Sequence, residues 1–373
     1  MEFGFSEEQE VFRESYRKFL IRENPTTLVR EIEEKELDYS RETYGKMADL
    51  GWLRLMIPDT YEGIGGDWVD MAVLFEEIGR ALLQSPYLST VALGAQTILA
   101  FGTEEQKSEL LPKIGSGDIV VALALTEPDA GSDLASISTV AGREGENYVI
   151  NGTKLYVENA HLADCIISVA KTDPASPEGG VALFLVDGKD PNVKCTPIKT
   201  FGLGRVNEIL FNGVKVTSML GGPGQGGDIL DIVNRSKLML CAEAMGGAQM
   251  AMETALEYAN LRRQFGVPIG AFQAIQHKMS DMALSINRSR WLTYYACWLM
   301  NEGLPCSKEL AMAKLCAGET YRMVTAETIQ VLGGYGAMQE HDIGLYFRRA
   351  KEIQLEMGHT HTLKEIIATS VGL

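Results

Sequence analysis

The chain has 373 residues, of which 46% are hydrophobic, and this is enough for one large core or for two to three smaller ones. The formal net charge of -16 argues against binding to nucleic acid or to an anionic membrane surface, because both need clustered Lys and Arg. No basic segment precedes an apolar one at the N-terminus and no apolar run approaches ~18 residues, so we expect a cytoplasmic protein.

The first third of the chain has the period of amphipathic helices. Ser6 and Gln9 form a capping-box pattern, and apolar residues recur at helical spacing after them. Thr103 and Gln106 repeat the same pattern at the start of a later helix. Helices are also predicted over residues 41–51, 68–83, 90–101 and 103–114. We therefore predict an N-terminal helical bundle over residues 1–116.

The period changes from 3.6 to 2 between about residues 117 and 216, which indicates β-strands. The turn dipeptide Asn151-Gly152 lies inside an alternating segment and predicts a hairpin at that point. Strands are also predicted over residues 119–125, 181–186 and 209–216. These patterns predict a central β-barrel-like domain over residues 117–226.

Helical periodicity returns after a glycine-rich linker at residues 221–227. The predicted helices cover residues 230–263, 272–302, 307–333 and 363–370. We therefore predict a C-terminal four-helix bundle over residues 227–373, and an α+β fold for the whole chain. The regular strand-helix alternation of a parallel nucleotide-binding sheet is absent from the sequence.

A polar loop follows the strand predicted at residues 119–125. Thr126, Ser132 and the backbone N–H groups around Gly131 place several hydrogen-bond donors within a few residues, behind the strand-ending Pro128. Such a loop suits the polar edge of a cofactor or a phosphate. A surface turn that only ends the strand is the alternative.

Two later segments also carry groups suited to phosphate. Arg262 is followed by Phe265 and Gln273, and a guanidinium can bind a pyrophosphate with two hydrogen bonds. Gln330 is followed by Gly333 and Gly334, whose missing side chains let backbone donors approach a ligand closely. A solvated helix-end cation and an ordinary helix C-cap are the respective alternatives.

Four segments together, in this order, resemble the acyl-CoA dehydrogenase family over essentially the whole chain. They are Leu125-Thr-Glu-Pro-Asp-Ala-Gly-Ser-Asp133, Gly152-Thr-Lys-Leu-Tyr-Val-Glu-Asn-Ala160, Arg262-Arg-Gln-Phe-Gly266 with Phe272-Gln273, and Gln330-Val-Leu-Gly-Gly-Tyr-Gly336. The resemblance implies a flavoprotein that binds FAD, oxidises an acyl-CoA thioester, forms a homo- or hetero-tetramer and passes electrons to electron-transferring flavoprotein. The FAD-binding residues that it implies are Leu125, Thr126, Gly131, Ser132, Tyr156, Glu158, Arg262, Phe265, Gln273, Gln330, Gly333 and Gly334.

The sequence departs from the family at the catalytic base. The family removes the α-proton of the acyl group with a Glu, and the ungapped match to that Glu is Met357, with Glu356 where the family has an aromatic residue. Some members carry the Glu before an Arg on an earlier helix, where this chain has Ser236 and Lys237. Both usual positions are therefore empty. The resemblance implies that Ser132, Lys237 and Met357 contact the substrate.

Two carboxylates are candidates for a replacement base. Glu356 is one residue from the usual position, and Glu243 lies in an apolar helix at a position where the family has a small residue. For Glu243, a packed structural Glu is the alternative. Glu158 stands where the family has a Thr near the flavin, and unless its carboxyl is protonated, an anion there disfavours the reduced flavin and lowers its potential.

Three activities remain open from the sequence. The first is α,β-dehydrogenation of an acyl-CoA that is not a simple straight-chain one. The others are a non-catalytic subunit that completes a partner's FAD site and an enoyl-CoA reductase. We expect no metal site, because His359 and His361 have no matching carboxylate spacing, and we expect the six cysteines to be buried thiols because none form a Cys-x-x-Cys pair.

Overall fold

The computed structural model describes residues 4–130, 133–172, 180–217, 219–221 and 228–373. Its α-helices are α1 (Glu7–Glu23), α2 (Thr26–Glu34), α3 (Arg41–Asp49), α4 (Trp68–Ala81), α5 (Gln96–Phe101), α6 (Glu104–Ser116), α7 (Ile229–Leu261), α8 (Gln273–Asn301), α9 (Ser307–Leu332), α10 (Ile343–Leu355) and α11 (Thr360–Ser370). Helices therefore precede and follow a central sheet, as an α+β fold requires. Nowhere in these ranges is a helix long and apolar enough to cross a membrane.

The capping boxes predicted at two helices are confirmed. Gln9 N donates to Ser6 Oγ at 3.1 Å and Ser6 N donates to Gln9 Oε1 at 3.1 Å, so α1 begins at residue 7. Thr103 and Gln106 make the same two hydrogen bonds before α6. The helix predicted over residues 90–101 differs in its first part, where Leu88–Ala95 is a π-helix that continues into α5.

Over its described residues, the central domain is one mixed sheet of eight strands. The strands are β1 (Val121–Ala124), β2 (Val140–Glu144), β3 (Asn147–Glu158), β4 (Cys165–Lys171), β5 (Val181–Asp187), β6 (Val193–Ile198), β7 (Val206–Val216) and β8 (Met219–Leu220). Their order is β6-β7-β3-β2-β4-β5-β8, and β1 pairs with β4 in parallel. A separate pair, β9 (Arg263–Gln264) and β10 (Val267–Pro268), follows α7.

The hairpin predicted at Asn151-Gly152 is wrong. β3 passes through both residues without turning, and Asn151 pairs with Val140 on one side and Asn212 on the other. The register shifts at this point, and Asn151 Oδ1 accepts a hydrogen bond from Gly213 N at 2.8 Å. The dipeptide is therefore accommodated in a β-bulge, where Gly152 has φ 155°, and the turn of the hairpin lies between β2 and β3.

The N-terminal and C-terminal helices share one hydrophobic core, while the sheet has a second one. α7 packs against α9, α4 and α8. α4 and α7 cross closely because each has a glycine at the contact: a Cβ at Gly246 would overlap the carbonyl of Glu76, and one at Gly79 would overlap the carbonyl of Glu243. This crossing lies directly beside Glu243 and so fixes one wall of the candidate site.

Candidate active site

Glu243 and Arg349 form a buried ion pair between α7 and α10. Arg349 Nε donates to Glu243 Oε1 at 2.7 Å, and Arg349 Nη2 donates to Glu243 Oε2 at 3.0 Å. Their side chains are only 7% and 13% exposed, respectively. Burial lowers the pKa of Arg349, but the nearby carboxylates outweigh it and raise that pKa well above the usual value. Both oxygens of Glu243 are therefore occupied, which favours a structural role for this residue.

The remaining guanidinium nitrogen of Arg349 serves two further carboxylates. Arg349 Nη1 lies 2.9 Å from Glu352 Oε2 and 3.5 Å from Glu356 Oε2. Glu352 also accepts hydrogen bonds from Leu203 N at 3.1 Å and Gly204 N at 2.9 Å. Glu352 thus connects the loop before β7 to α10, and both of its carboxylate oxygens accept hydrogen bonds.

Glu356 differs from these two carboxylates because no N–H group of the described residues donates a hydrogen bond to its buried oxygens, whose neighbours are Arg349 Nη1 at 3.5 Å and the carboxyl of Glu158. Glu356 is the first residue after α10, and its side chain is 17% exposed. Burial, followed by the negative charge of Glu158, raises the pKa of Glu356 well above its usual range. Burial likewise raises the pKa of Glu158, which is at the end of β3 and faces Glu356. Two facing carboxyl groups of this kind share a proton more readily than they both ionise.

The turn after α10 orients Glu356. Glu356 has an extended backbone, Met357 has φ 53° and Gly358 has φ 131°. A left-handed non-glycine residue next to a second positive φ is uncommon and marks a sharp change of chain direction. The partly buried Met357 packs against the hydrophobic core.

Two lysines lie near this turn. A Cβ at Gly358 would be 3.6 Å from Lys237 Nζ, and Lys237 donates to Asn234 Oδ1 at 2.7 Å. Burial, with help from the charge of Lys314, lowers the pKa of Lys237 to about 8. Lys314 is buried and donates to the carbonyl of Ile353 at 2.5 Å. Ser236 is not part of this group, since its hydroxyl donates to the carbonyls of Ala92 and Ile232.

A cavity of about 70 Å³ adjoins the carboxylate cluster. Its lining includes Glu158, Glu243 and Arg349, and also Gln84, Ser85, Tyr87 and Leu88 of the segment after α4. No motif in the sequence pointed to Arg349, Glu352 or Lys314 as site residues. Two features of the sequence could have indicated them. Arg349 and Glu352 belong to a dense group of charged residues in the amphipathic α10, and Lys314 is the one Lys among the buried residues of α9.

The polar loop after β1 is held by a second buried ion pair. Lys154 Nζ lies 2.7 Å from Glu127 Oε1 and donates to the carbonyl of Leu125 at 3.2 Å. The carbonyl of Thr126 accepts from Leu155 N at 2.8 Å. Leu125 and Thr126 are thus tied to β3, whereas Gly131 and Ser132 lie outside the described residues.

The β3 strand exposes an aromatic residue next to Glu158. Its pairing with β7 shifts register between Lys154 and Val157, and Tyr156, inside this irregularity, has φ 55°. Its side chain is 59% exposed. Glu158 is only two residues after Tyr156 in β3, so a ligand that covers Tyr156 would also lie near Glu158.

The two segments suited to phosphate are exposed and close to each other. Arg262 ends α7, makes no ion pair within the described ranges, and is followed by Phe265, which is 92% exposed. Gln273, Gln330, Gly333 and Gly334 are exposed as well. The ring centroids of Tyr258 and Tyr335, which flank the two segments, are 6.2 Å apart.

The paired histidines have a local structural role. His359 Nδ1 accepts a hydrogen bond from His361 N at 3.2 Å and so caps α11. Across the described residues, no group of three or more His, Cys, Asp or Glu side chains could hold a metal ion.

Comparisons with known proteins cover nearly the whole chain. Family models for the N-terminal, middle and C-terminal domains of acyl-CoA dehydrogenases match residues 6–118, 122–214 and 225–372. The probable acyl-CoA dehydrogenase YngJ of Bacillus subtilis is 35% identical, and the match covers 99% of each chain. The acryloyl-CoA reductase (NADH) of Anaerotignum propionicum is 31% identical over 100% of this chain and 96% of the relative. Among solved structures, PigA with FAD and proline is 30% identical and covers 100% of both chains with a TM-score of 0.94.

Proposed function

Since the chain belongs to the acyl-CoA dehydrogenase family, we propose that it uses Glu356 to move the α-proton of an acyl thioester as the α,β bond is oxidised or reduced. The family consists of oxidoreductases that act on CH–CH groups. The observation that carries the proposal is the buried carboxyl of Glu356, which faces the carboxyl of Glu158 and lies 3.5 Å from Arg349 Nη1, and to which no N–H group of the described residues donates a hydrogen bond. A proton-transfer group needs an oxygen that is not fixed by a short hydrogen bond from a cation, and both oxygens of Glu243 are fixed in this way by Arg349.

The residues present fit FAD. Arg262 offers a guanidinium without an ion pair, Phe265 offers an exposed ring, and nothing lies within 4 Å of a Cβ built at Gly333 or Gly334. These groups can bind a pyrophosphate and an adenosine, while Tyr156 on β3 is exposed for the flavin ring. When bound, FAD supplies the two-electron acceptor for the hydride equivalent that leaves the β-carbon.

The chain itself supplies the proton chemistry. In the oxidative direction Glu356 must be ionised to take the proton from the α-carbon, and in the reductive direction it must hold a proton to give. Burial is the main cause of the raised pKa of Glu356, and the charge of Glu158 is the second. A carboxyl with a raised pKa transfers a proton more effectively near neutral pH than an ordinary Glu does. A shared proton also keeps Glu158 from placing a full negative charge beside the flavin.

The reductive direction is the second candidate function. The specific observation in its favour is the raised pKa of Glu356, because a carboxyl that keeps its proton is ready to donate it. The same group serves both directions, so the potential of the bound flavin and the supply of electrons decide which one runs. We propose electron-transferring flavoprotein as the redox partner, on the basis of the family.

The proposal is tested by anaerobic mixing of the FAD-loaded protein with acyl thioesters. We expect butyryl-, octanoyl- and palmitoyl-CoA to bleach the flavin slowly, because Met357 occupies the usual position of the base. Branched, cyclic, dicarboxylic and amino-substituted acyl groups complete the panel. Rapid bleaching by a straight-chain substrate would contradict the assignment of a non-standard site. Activity only after a second, related chain is added would replace the proposal with that of a non-catalytic subunit.

FAD retention is expected to depend on Arg262. Arg262→Ala removes a charge-assisted contact to pyrophosphate worth ~1.5–3 kcal/mol, which corresponds to a tenfold or greater rise in the dissociation constant for FAD. The measurement is titration of the apoprotein with FAD, followed by flavin fluorescence. Arg263→Ala is the matched control, since Arg263 is the adjacent exposed arginine. Equal effects of the two variants would remove Arg262 from the cofactor site.

The segments around Arg262 and Gly333 also indicate how subunits could assemble. Leu261 is 71% exposed, Phe265 92% and Tyr335 58%, so a contiguous stretch around the proposed FAD site presents apolar side chains to solvent. We propose that other subunits cover these residues in a tetramer, in agreement with the family resemblance. Whether the four chains are identical depends on whether a related partner chain exists.

A further inference from the structure

Among the described residues, Lys314 of α9 is a buried cation without a carboxylate partner. The residue is 1% exposed, and no Asp or Glu oxygen of the described ranges lies within ion-pair distance of its Nζ atom. Lys154, which is also buried, lies 2.7 Å from Glu127 Oε1. An unpaired charge in the interior costs stability, so a buried lysine of this kind indicates a role other than packing.

The ammonium group of Lys314 caps the C-terminal end of α10. Its Nζ donates to the carbonyl oxygen of Ile353 at 2.5 Å, in the last turn of that helix. In a continuing helix this carbonyl would accept from Met357 N, but Met357 has φ 53° and leaves the helical path. A Cβ at Gly318, one turn after Lys314, would lie 3.3 Å from Gln354 Cα, so the two helices are close enough for the contact. Lys314 therefore fixes the turn that ends α10.

The carboxyl of Glu356, at this turn, has negative neighbours. Glu158 of β3 faces it, and Glu352 lies one turn before it in α10. The negative end of the α10 dipole adds to their effect. An ionised Glu356 therefore needs a positive charge nearby. The titratable groups around Lys314 and Glu356 are Glu158 of β3, Lys237, Cys241 and Glu243 of α7, and Arg349 and Glu352 of α10.

The charge of Arg349 is shared among several carboxylates. Its Nε and Nη2 atoms donate to the two oxygens of Glu243. Its Nη1 atom lies 2.9 Å from Glu352 Oε2 and 3.5 Å from Glu356 Oε2. One guanidinium thus faces three carboxylates, and an ionised Glu356 requires a second cation for charge balance.

The lysines near the turn supply this second charge. Burial, followed by the charge of Lys314, lowers the pKa of Lys237 to about 8. Burial also lowers the pKa of Lys314, while Cys241 and then Glu356 act in the opposite direction. The thiol of Cys241 stays protonated near neutral pH, because burial raises its pKa to about 12. Glu356 is thus the group whose ionisation favours the charged form of Lys314, and the effect is mutual.

We propose that Lys314 is a positioning residue of the reaction, which holds the turn after α10 and supplies the positive charge that stabilises the ionised form of Glu356. Its part in the reaction rests on the proposed function, whereas the coupling of the two charges can be measured without any reaction. Since ionised Glu356 is the form that takes the α-proton, Lys314 extends the oxidative direction to lower pH.

Two replacements separate the charge of Lys314 from its hydrogen bond. Lys314→Gln removes the charge and keeps a donor for the carbonyl of Ile353, whereas Lys314→Met removes both. If Lys314→Met does not fold, Lys314→Gln alone carries the test. Lys308→Gln is the matched control, because it removes a positive charge from an exposed position of the same helix.

The first measurement needs no substrate. Infrared difference spectra of the FAD-loaded protein follow the protonated-carboxyl band as a function of pH, and the band is assigned by its loss in Glu356→Gln. We expect the titration of this band to move upward by about one pH unit or more in both Lys314 variants and to stay in place in Lys308→Gln. An unchanged titration in Lys314→Gln, or an equal shift in Lys308→Gln, would overturn the proposal.

The second measurement is the pH profile of flavin reduction by an acyl thioester that bleaches the wild type. The rising limb should move upward in the Lys314 variants by the same amount as the infrared titration. A lower rate at every pH with an unmoved profile would show that Lys314 acts on structure alone, and so would contradict the charge role.

The two measurements distinguish this inference from the proposed function. If the infrared titration shifts and yet no acyl thioester reduces the flavin, the proposed function fails while the coupling of Lys314 to Glu356 stands. If acyl thioesters reduce the flavin in a Glu356-dependent way and the titration does not shift, only this inference fails.

Discussion

Replacing Glu356 with Gln is expected to slow reduction of the bound flavin by the best acyl thioester by about 10²–10⁴-fold. This is the usual effect of removing a positioned general acid or base. The change keeps the size of the side chain and removes only its ability to take a proton. The measurement is the single-turnover rate of flavin bleaching under anaerobic conditions, compared with Glu365→Gln, which alters an exposed glutamate of α11.

The pH dependence of the same reaction tests the role of Glu356 independently. Its pKa is raised, first by burial and then by Glu158, so the ionised base accumulates only at a pH well above ~4.3, the ordinary value for Glu. The rate of dehydrogenation should therefore rise with pH through this raised pKa, and the rate of the reverse reduction should fall. A full rate and an unchanged pH profile in Glu356→Gln would remove Glu356 from the mechanism.

Measurements of thermal stability distinguish the roles of Glu356 and Glu243, the two candidate bases predicted from the sequence. In the folded protein the pKa of Glu356 lies above its unfolded value, so its stabilising contribution exists at low pH and is lost as the pH rises through the folded pKa. At neutral pH Glu356→Gln should therefore not lower the melting temperature. Glu243→Gln weakens a buried ion pair with Arg349 and should lower it clearly.

The sequence predicted what depends on local chemistry. The capping boxes at Ser6 and Thr103 involve residues three apart, and both helices begin where the patterns indicate. The Asn151-Gly152 dipeptide was misread for a non-local reason. Its conformation is set by the pairing of β3 with β7, about 60 residues later along the chain, where Gly213 N reaches the Asn151 side chain.

The candidate site depends on contacts still further apart in the sequence. Glu243 and Arg349 are separated by 106 positions, so nothing near Glu243 could show that its carboxylate is already paired. Counting positions along the sequence predicts that Met357 stands at the usual place of the base, and this stays a prediction. The count could not show that φ 53° at Met357 and φ 131° at Gly358 accompany a buried Glu356 carboxyl that faces Glu158.

The largest stability effect is expected at the ion pair between Lys154 and Glu127. Both side chains are at most 1% exposed, and Glu127 also accepts hydrogen bonds from Ser138 N, Ser138 Oγ and Thr139 N. Lys154→Met leaves the carboxylate of Glu127 buried without its cation. The expected loss in the free energy of unfolding is ~3–5 kcal/mol, measured by chemical denaturation.

A surface pair provides the matched control. Lys189 and Asp164 lie 2.6 Å apart, but the side chain of Lys189 is 75% exposed. Lys189→Met should therefore cost at most ~1 kcal/mol. If Lys154→Met cost no more than Lys189→Met, the buried pair would have no special part in stability.

The pH dependence of the Lys154→Met effect follows from Glu127. Burial by itself raises the pKa of Glu127, but Lys154 and the hydrogen bonds outweigh it and lower that pKa to about 2. The stabilisation from Glu127 is thus present above its unfolded pKa of ~4.3 and is lost as the pH falls toward about 2. The difference in stability between wild type and Lys154→Met should shrink over that range. Because the pair also holds Leu125 and Thr126 against β3, the variant should retain FAD less well at neutral pH, even where it is fully folded.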